Sequence, residues 1–262
     1  MSDLLAPILA RKARENARRR AHLGLFDPAS VQAIPPSALE ALRRVGPLPR
    51  VIAEVKFRSP SAGAIRPRAA GDGVRIARGY VDAGAAAVSV LCDRRGFGGS
   101  VLELRRVAAA VSAPTLFKEF VLDPIQLDLA RASGAAMVLL LVRALDDAAL
   151  GDLVDGCLAR GLEPVVEAAD EAEVDRALAT RARVVGVNAR DLSTFRVDPA
   201  AAAGAIQKVP DDRVSVYMSG VSTKAELLAV AETGADAVLM GTGLMRAEDP
   251  GRRLAELVGG DA

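Results

Sequence analysis

Tryptophan is absent from this chain, histidine occurs once and cysteine twice in 262 residues. The single histidine, His22, lies in a polar N-terminal stretch, so a histidine-based triad and a histidine-rich metal site are excluded by inventory. Cys92 and Cys157 are far apart and show no CxxC spacing. They read as reduced thiols of a cytoplasmic protein, not as a disulfide or a metal pair. Aromatic residues make up only 3% of the chain, which speaks against a sandwich of aromatic-rich strands. No apolar run is long enough to span a bilayer, and no secretory leader pattern is present. Charge of neither sign dominates: 34 Lys and Arg stand against 33 Asp and Glu, with no long tract of either. Nothing in that balance calls for nucleic acid or an anionic membrane as partner. No GxGxxG follows a strand, so the sign of an open dinucleotide-binding sheet is missing as well.

What the chain does have is hydrophobic material, 51% of its residues, rich in Ala, Val and Leu. Residues 2–20 read as a helix, with Leu4, Leu5, Ile8 and Leu9 at helical spacing and a basic second half (Arg11, Lys12, Arg14, Arg18, Arg19, Arg20). Basic residues near a helix C-terminus suit the dipole, so this run is expected to be a solvated face rather than a phosphate- or partner-binding one. A Pro-rich connection (Pro28, Pro35, Pro36, Pro47, Pro49) follows, with a short helix around Ala38 to Arg43. From Arg50 onward, short apolar runs recur near 51–57, 86–92, 114–120, 137–143, 163–168, 184–189, 213–218 and 237–241. Helical patterns lie between them, at Ser100–Val111, Asp146–Ala159, Glu171–Thr180 and Thr223–Thr233 among others. Capping residues open several: Ser100 with Glu103, Asp123 before Pro124, and Ser222 or Thr223 with Glu226. A Gly-Ala dipeptide precedes three of the strands, at residues 84, 134 and 234, as a helix C-cap leading into a strand. Strand–helix alternation of this length predicts an α/β fold, a (β/α)8 TIM barrel with an N-terminal helical extension. The expected organisation is one domain over 1–262, with the extension at 1–49 and the barrel at 50–262.

In such barrels the active site is built at the C-terminal ends of the strands. Glu54 and Lys56 end the first strand on the same face as Ile52, because side chains alternate along a strand. A charged pair on a buried face is costly unless it is paired or used. Lys118 falls late on the third strand on the face of Leu116; Glu167 ends the fifth; Asn188 and Arg190 end the sixth. Any one of these read alone is a structural ion pair. Two lysines and two glutamates at equivalent ends are suited to acid–base chemistry, since close opposite charges and burial move their pKa values. The loops after the last two strands, Met218-Ser219-Gly220 and Gly241-Thr242-Gly243, offer backbone N–H groups unobstructed by side chains, the usual phosphate seat of this barrel. The residues thus describe an enzyme that holds a small phosphorylated molecule and moves protons with Lys and Glu, needing neither metal nor cofactor.

The stretches IAEVKFRSPSAG (52–63), SVLCDRRGFGGS (89–100), LFKEFVLDPIQLDLARASGA (116–135), PVVEA (164–168), VVGVNARDLSTF (184–195), MSGV (218–221) and DAVLMGTGLMR (236–246) resemble indole-3-glycerol-phosphate synthase, in order and over nearly the whole chain. The resemblance implies conversion of 1-(2-carboxyphenylamino)-1-deoxyribulose 5-phosphate to indole-3-glycerol phosphate with loss of carbon dioxide and water. It implies Lys118 as general acid, Glu54 and Glu167 as partners that stabilise positive charge and relay protons, and Lys56 as carboxylate contact or second acid. Which lysine serves which step stays open at this level. By the same resemblance Asn188 orients the substrate, Arg190 supports that end of the site, and Phe97 packs on the anthranilate ring. Ser59, Ser219, Gly220, Gly241 and Thr242 hold the phosphate.

The chain departs from the family pattern at four places: Met218 where it has glutamate, Phe57 and Phe117 where it often has arginine, and the pair Cys92-Asp93 where it has Thr-Glu. All four are expected near the mouth, with Met218 among the substrate contacts. They point to a divergent member acting on a modified anthranilate-derived substrate, or to a catalytically weakened binding barrel. Phosphoribosylanthranilate isomerase is the competing barrel, but its first-strand cysteine is missing; a Schiff-base aldolase competes only on the presence of lysines. The loop Arg58–Gly71 is rich in small residues and suited to move over the site. A monomer or weak homodimer is the expected assembly.

Overall fold

The computed structural model describes residues 5–21, 37–60, 62–191 and 196–259. Eight parallel strands close into a barrel: β1 (Arg50–Val55), β2 (Ala87–Leu91), β3 (Thr115–Lys118), β4 (Met137–Leu141), β5 (Glu163–Ala168), β6 (Val184–Asn188), β7 (Val214–Met218) and β8 (Ala237–Met240). Each pairs with the next in sequence, and β8 returns to β1 with Ala237–Met240 opposite Arg50–Ala53. The (β/α)8 barrel inferred from the pattern is the fold. Strands are a residue or two shorter than the apolar runs; beyond Leu141, for instance, the chain turns into a 3-10 helix at Val142–Ala144.

Alternation along the strands divides the core in two. Val51, Ala53, Val88, Val90, Phe117, Val138 and Val185 face outward under the helices. Ile52, Leu116, Met137, Leu139, Val165, Val184, Val216 and Leu239 fill the barrel itself. Each such buried aliphatic side chain contributes roughly 1.5–3 kcal/mol, whereas a buried ion pair must first offset the cost of leaving water. Packing therefore sets the cylinder, and the charges at its mouth add geometry. The Gly-Ala joints behave as expected: Gly84, Gly134 and Gly234 have φ of 90°, 79° and 85°, the left-handed region that glycine enters without strain. The Thr223–Glu226 capping box forms, and Asp123 caps Pro124–Ala132 by accepting from the Ile125 N–H at 3.0 Å. The expected Ser100–Glu103 box does not form. Ser100 makes no side-chain cap bond, and the Glu103 carboxylate pairs with Arg68 instead.

The N-terminal helix, α1 (Leu5–Arg20), corrects a second expectation. Arg14 and Arg18 are solvated, but Lys12 is only 1% exposed. Its ammonium meets Glu119 at 3.0 Å, Asp93 at 3.1 Å and Glu15 at 2.9 Å, while Arg11 meets Asp93 at 2.7 Å. One turn later the buried Asn16 amide donates to Gln126 at 2.7 Å. Lys12 and Asn16 continue the i, i+4 stripe begun by Ile8, so this face docks on the barrel and only the opposite one is solvated. His22, Pro28, Pro35 and Pro36 lie outside the described residues.

Removing one partner of a buried charge network leaves the others uncompensated. Lys12→Met is expected to lower the unfolding free energy by about 3 kcal/mol in urea denaturation. Glu119, which burial pushes upward, is then free to take a proton. The loss should accordingly be smaller near about pH 5 than near about pH 8.

Candidate active site

The strand ends that carry the charged residues sit side by side. Register places Glu54 opposite Ser89, Leu91 opposite Lys118, Leu141 opposite Glu167, and Asn188 opposite Met218, a single layer around the C-terminal rim. The layer floors a cavity of about 880 Å3. Every residue given a catalytic, substrate or phosphate role from the sequence lines it: Glu54, Lys56, Ser59, Phe97, Lys118, Glu167, Asn188, Arg190, Met218, Ser219, Gly220, Gly241 and Thr242.

Two ion pairs face one another across the floor. Lys56 Nζ lies 2.6 Å from Glu54 Oε1, and Ser89 Oγ donates to Glu54 Oε2 at 3.3 Å. Lys118 Nζ lies 3.1 Å from Glu167 Oε2, whose other oxygen accepts from Asn188 Nδ2 at 2.8 Å. Asn188 in turn accepts from the Arg190 backbone N–H at 3.0 Å, which fixes which way its amide points. Burial alone pushes the Glu54 carboxyl up, but the ammonium groups of Lys56 and Lys118 outweigh it and hold Glu54 below the usual carboxylate range. Each ammonium thus has an anchored carboxylate beside it and open cavity on its other side.

The rest of the lining includes an apolar part: Leu91, Leu139, Leu141 and Leu239 lie among the charged groups, and Phe97 faces Phe120 with ring centroids 6.2 Å apart. At the β7 and β8 ends the backbone comes to the surface of the cavity. Ser219 and Gly220 are consecutive left-handed residues, φ 72° and 82°, and Ser219 is the only non-glycine with positive φ among the described residues. At Gly241 an added Cβ would lie 2.7 Å from Glu54 Oε1 and 3.2 Å from Lys56 Nζ. Only glycine lets the β8 end pass so close to the buried pair. Successive unobstructed N–H groups of this kind make a seat for an anion. Among the described residues no three His, Cys, Asp or Glu side chains are grouped as metal ligands, and no helix is long and apolar enough to cross a membrane.

The family model described as indole-3-glycerol phosphate synthase matches residues 5–257. The chain is 44% identical over 260 residues to the indole-3-glycerol phosphate synthase of Mycobacterium ulcerans, covering 98% of this chain and 94% of that one. This chain belongs to the indole-3-glycerol phosphate synthase family. The relative of the same description from Opitutus terrae is 41% identical over 264 residues, covering 98% of each chain. Among solved structures, 3-hexulose-6-phosphate synthase from Salmonella typhimurium matches with a TM-score of 0.63 at 16% identity over 80% of this chain and 98% of that one, a likeness of fold alone.

Set against the indole-3-glycerol phosphate synthase pattern, the departures do not all reach the site. Phe117 is fully buried under the helices, one residue from Leu116 and Lys118 and therefore on the opposite face of β3. Phe57 and Cys92 face the same outer layer, for the same reason. Only Met218 and Asp93 line the cavity. Met218, 1% exposed, lies against Gly186, where an added Cβ would run into its terminal methyl. Asp93 is held from behind by Lys12 and Arg11. Sequence reasoning passed over Glu119 (which shares the Lys12 ammonium with Asp93), Phe120 and Arg246, all of which line the cavity. The acidic residue after Lys118 and the arginine ending GTGLMR carried that signal.

Because the folded pKa of Glu54 lies below its ordinary value of 4.5, its ionised form adds stability above that value and loses it as pH falls through the folded pKa. Glu54→Gln should lower the denaturation midpoint by a roughly constant amount between about pH 5 and 8. The gap to wild type should then close in more acidic solution. A gap independent of pH down to about 3 would contradict the ion pairing described here.

Proposed function

We propose that this chain catalyses the decarboxylating, dehydrating ring closure of 1-(2-carboxyphenylamino)-1-deoxyribulose 5-phosphate to indole-3-glycerol phosphate. The observation that carries the reading is the pair of anchored ammonium–carboxylate couples, Lys118–Glu167 and Lys56–Glu54, sharing one cavity with the Phe97 and Phe120 rings and the glycine-rich strand ends. A substrate with an anthranilate ring at one end and a phosphate at the other needs those surfaces together. In this reading the ring packs on Phe97, and Ser59, Ser219, Gly220, Gly241 and Thr242 hold the phosphate. Asn188 and Arg190 orient the chain between.

The ring carbon that bears the carboxylate attacks the ribulose carbonyl, and Lys118 protonates the carbonyl oxygen as the carbon–carbon bond forms. Glu167 holds the Lys118 ammonium on target, and Glu54 faces the positive charge that the attack leaves on the ring and its nitrogen. Carbon dioxide departs and leaves its bonding pair to restore the aromatic ring. Lys56, which faces the carboxylate beforehand, gives the proton that leaves with the new hydroxyl as water. Glu54 accepts the proton from the adjacent carbon as the indole double bond forms. The closure is intramolecular, so fixing both ends of the substrate supplies much of the rate.

Met218 favours a second reading. It places a thioether beside Asn188 where the family pattern has a carboxylate, which fits the pocket to a ring-modified anthranilate.

Indole fluorescence measured under steady-state conditions tests both. Wild type should form indole-3-glycerol phosphate, and Lys118→Ala should lose about a thousandfold in kcat with unchanged circular dichroism. No product from wild type would sink the first reading. Met218→Glu should raise kcat on the unmodified substrate by about tenfold, since it adds one acceptor to the cluster. An unchanged kcat, together with no preference of wild type for ring-substituted substrates, would remove the second.

A further inference from the structure

The loop that follows β1 is fastened on both sides. Near its middle the Ile65 N–H donates to the Phe57 carbonyl at 2.9 Å, folding the loop back on the strand end. Arg66 Nη2 donates to the Glu248 carbonyl at 2.6 Å, on the segment after β8. Arg68 reaches the other way, toward the segment after β2. Its guanidinium lies 5.1 Å from the centroid of the Phe57 ring, and its Nη1 donates to the Gly98 carbonyl at 2.9 Å. Its Nη2 is paired with the Glu103 carboxylate, which is buried against Gly73 so closely that no Cβ fits there.

The place of these contacts matters more than their strength. Gly98 immediately follows Phe97, which lines the cavity and faces Phe120. Gly98 is in the left-handed region at φ 64°, and the next residue, Gly99, packs on the Leu91 backbone with no room for a Cβ. The short helix Arg94–Phe97 is therefore pinned at its end by one arginine from a different loop. The same arginine stacks on Phe57, two residues before Ser59, and the Arg58–Ser59 segment packs directly on the Arg94–Phe97 helix. Glu103, which sequence pairs with Ser100 as a helix cap, is used instead to orient this arginine.

We infer that Arg68 is a positioning residue for substrate recognition: by clasping Gly98, Glu103 and the Phe57 ring together it holds the segment that bears Phe97 against the segment that bears Ser59, and so fixes where the Phe97 ring stands in the cavity. The inference rests on the reading of this cavity as the indole-3-glycerol phosphate synthase site. Arg68 touches no reacting atom, so its effect falls on binding of the aromatic end and not on proton transfer. A lysine can keep the Glu103 pair but offers neither the flat guanidinium over Phe57 nor a second donor for Gly98.

The test combines steady-state kinetics on 1-(2-carboxyphenylamino)-1-deoxyribulose 5-phosphate with amide hydrogen exchange on the intact enzyme. Arg68→Ala should raise KM about fivefold while kcat stays within about twofold, the scale that a half-exposed ion pair with a stacked guanidinium sustains. Exchange should quicken both in 62–71 and in 94–100, and Arg68→Lys should fall between wild type and alanine. An unchanged KM, or exchange that quickens in 62–71 alone, would reduce Arg68 to a surface charge and overturn the inference. If wild type gives no turnover at all, the proposed reaction fails, and the exchange in 94–100 still decides whether the clasp exists.

Discussion

Charge cannot be left unpaired inside a closed barrel, and the C-terminal rim of this one holds four charges within a layer otherwise made of leucine and methionine. The solution is a carboxylate for each ammonium: Glu54 for Lys56 and Glu167 for Lys118, each carboxylate further held by a neutral donor, Ser89 or Asn188. Taking such groups out of water costs several kcal/mol per ion, so the pairs do not hold the fold together. The aliphatic layer beneath them does that. What the pairing supplies is aim, because a partnered ammonium keeps one direction.

The same constraint explains the glycines. The β8 end must pass beside the Glu54–Lys56 couple, and any side chain at Gly241 would occupy the space the carboxylate needs. In the proposed reading, the bare backbone left there and the left-handed turn at Ser219 and Gly220 are the phosphate seat, so proton transfer and phosphate binding are neighbours by packing.

Around this rim the second tier of contacts is also ionic. Lys12 and Arg11 come from α1, outside the barrel, to neutralise Asp93 and Glu119 on the side of the mouth where Phe97 and Phe120 stand. Arg68 reaches over from the β1 loop to the segment that bears Phe97. Both devices place charge on long, flexible side chains that bridge separate segments.

Strand alternation, caps and turn glycines are local, and they were legible: the eight strands, the Gly-Ala joints, the Thr223–Glu226 box and the line-up of Glu54, Lys56, Lys118, Glu167 and Asn188 at strand ends all follow from spacing within a few residues. The face on which Phe57, Phe117 and Cys92 sit was legible by the same alternation, although their chemical difference from the family pattern drew them toward the mouth. Lys12 in a basic run looked solvated, and Glu103 three residues after Ser100 looked like a cap. In both cases the partner that decides the matter, Glu119 or Arg68, lies 107 and 35 residues away in the chain. Periodicity ranks the preferences of a side chain against its near neighbours and against water. It carries no record of which distant group the closed barrel brings within reach, and for a long charged side chain that group determines whether it is buried, paired or free.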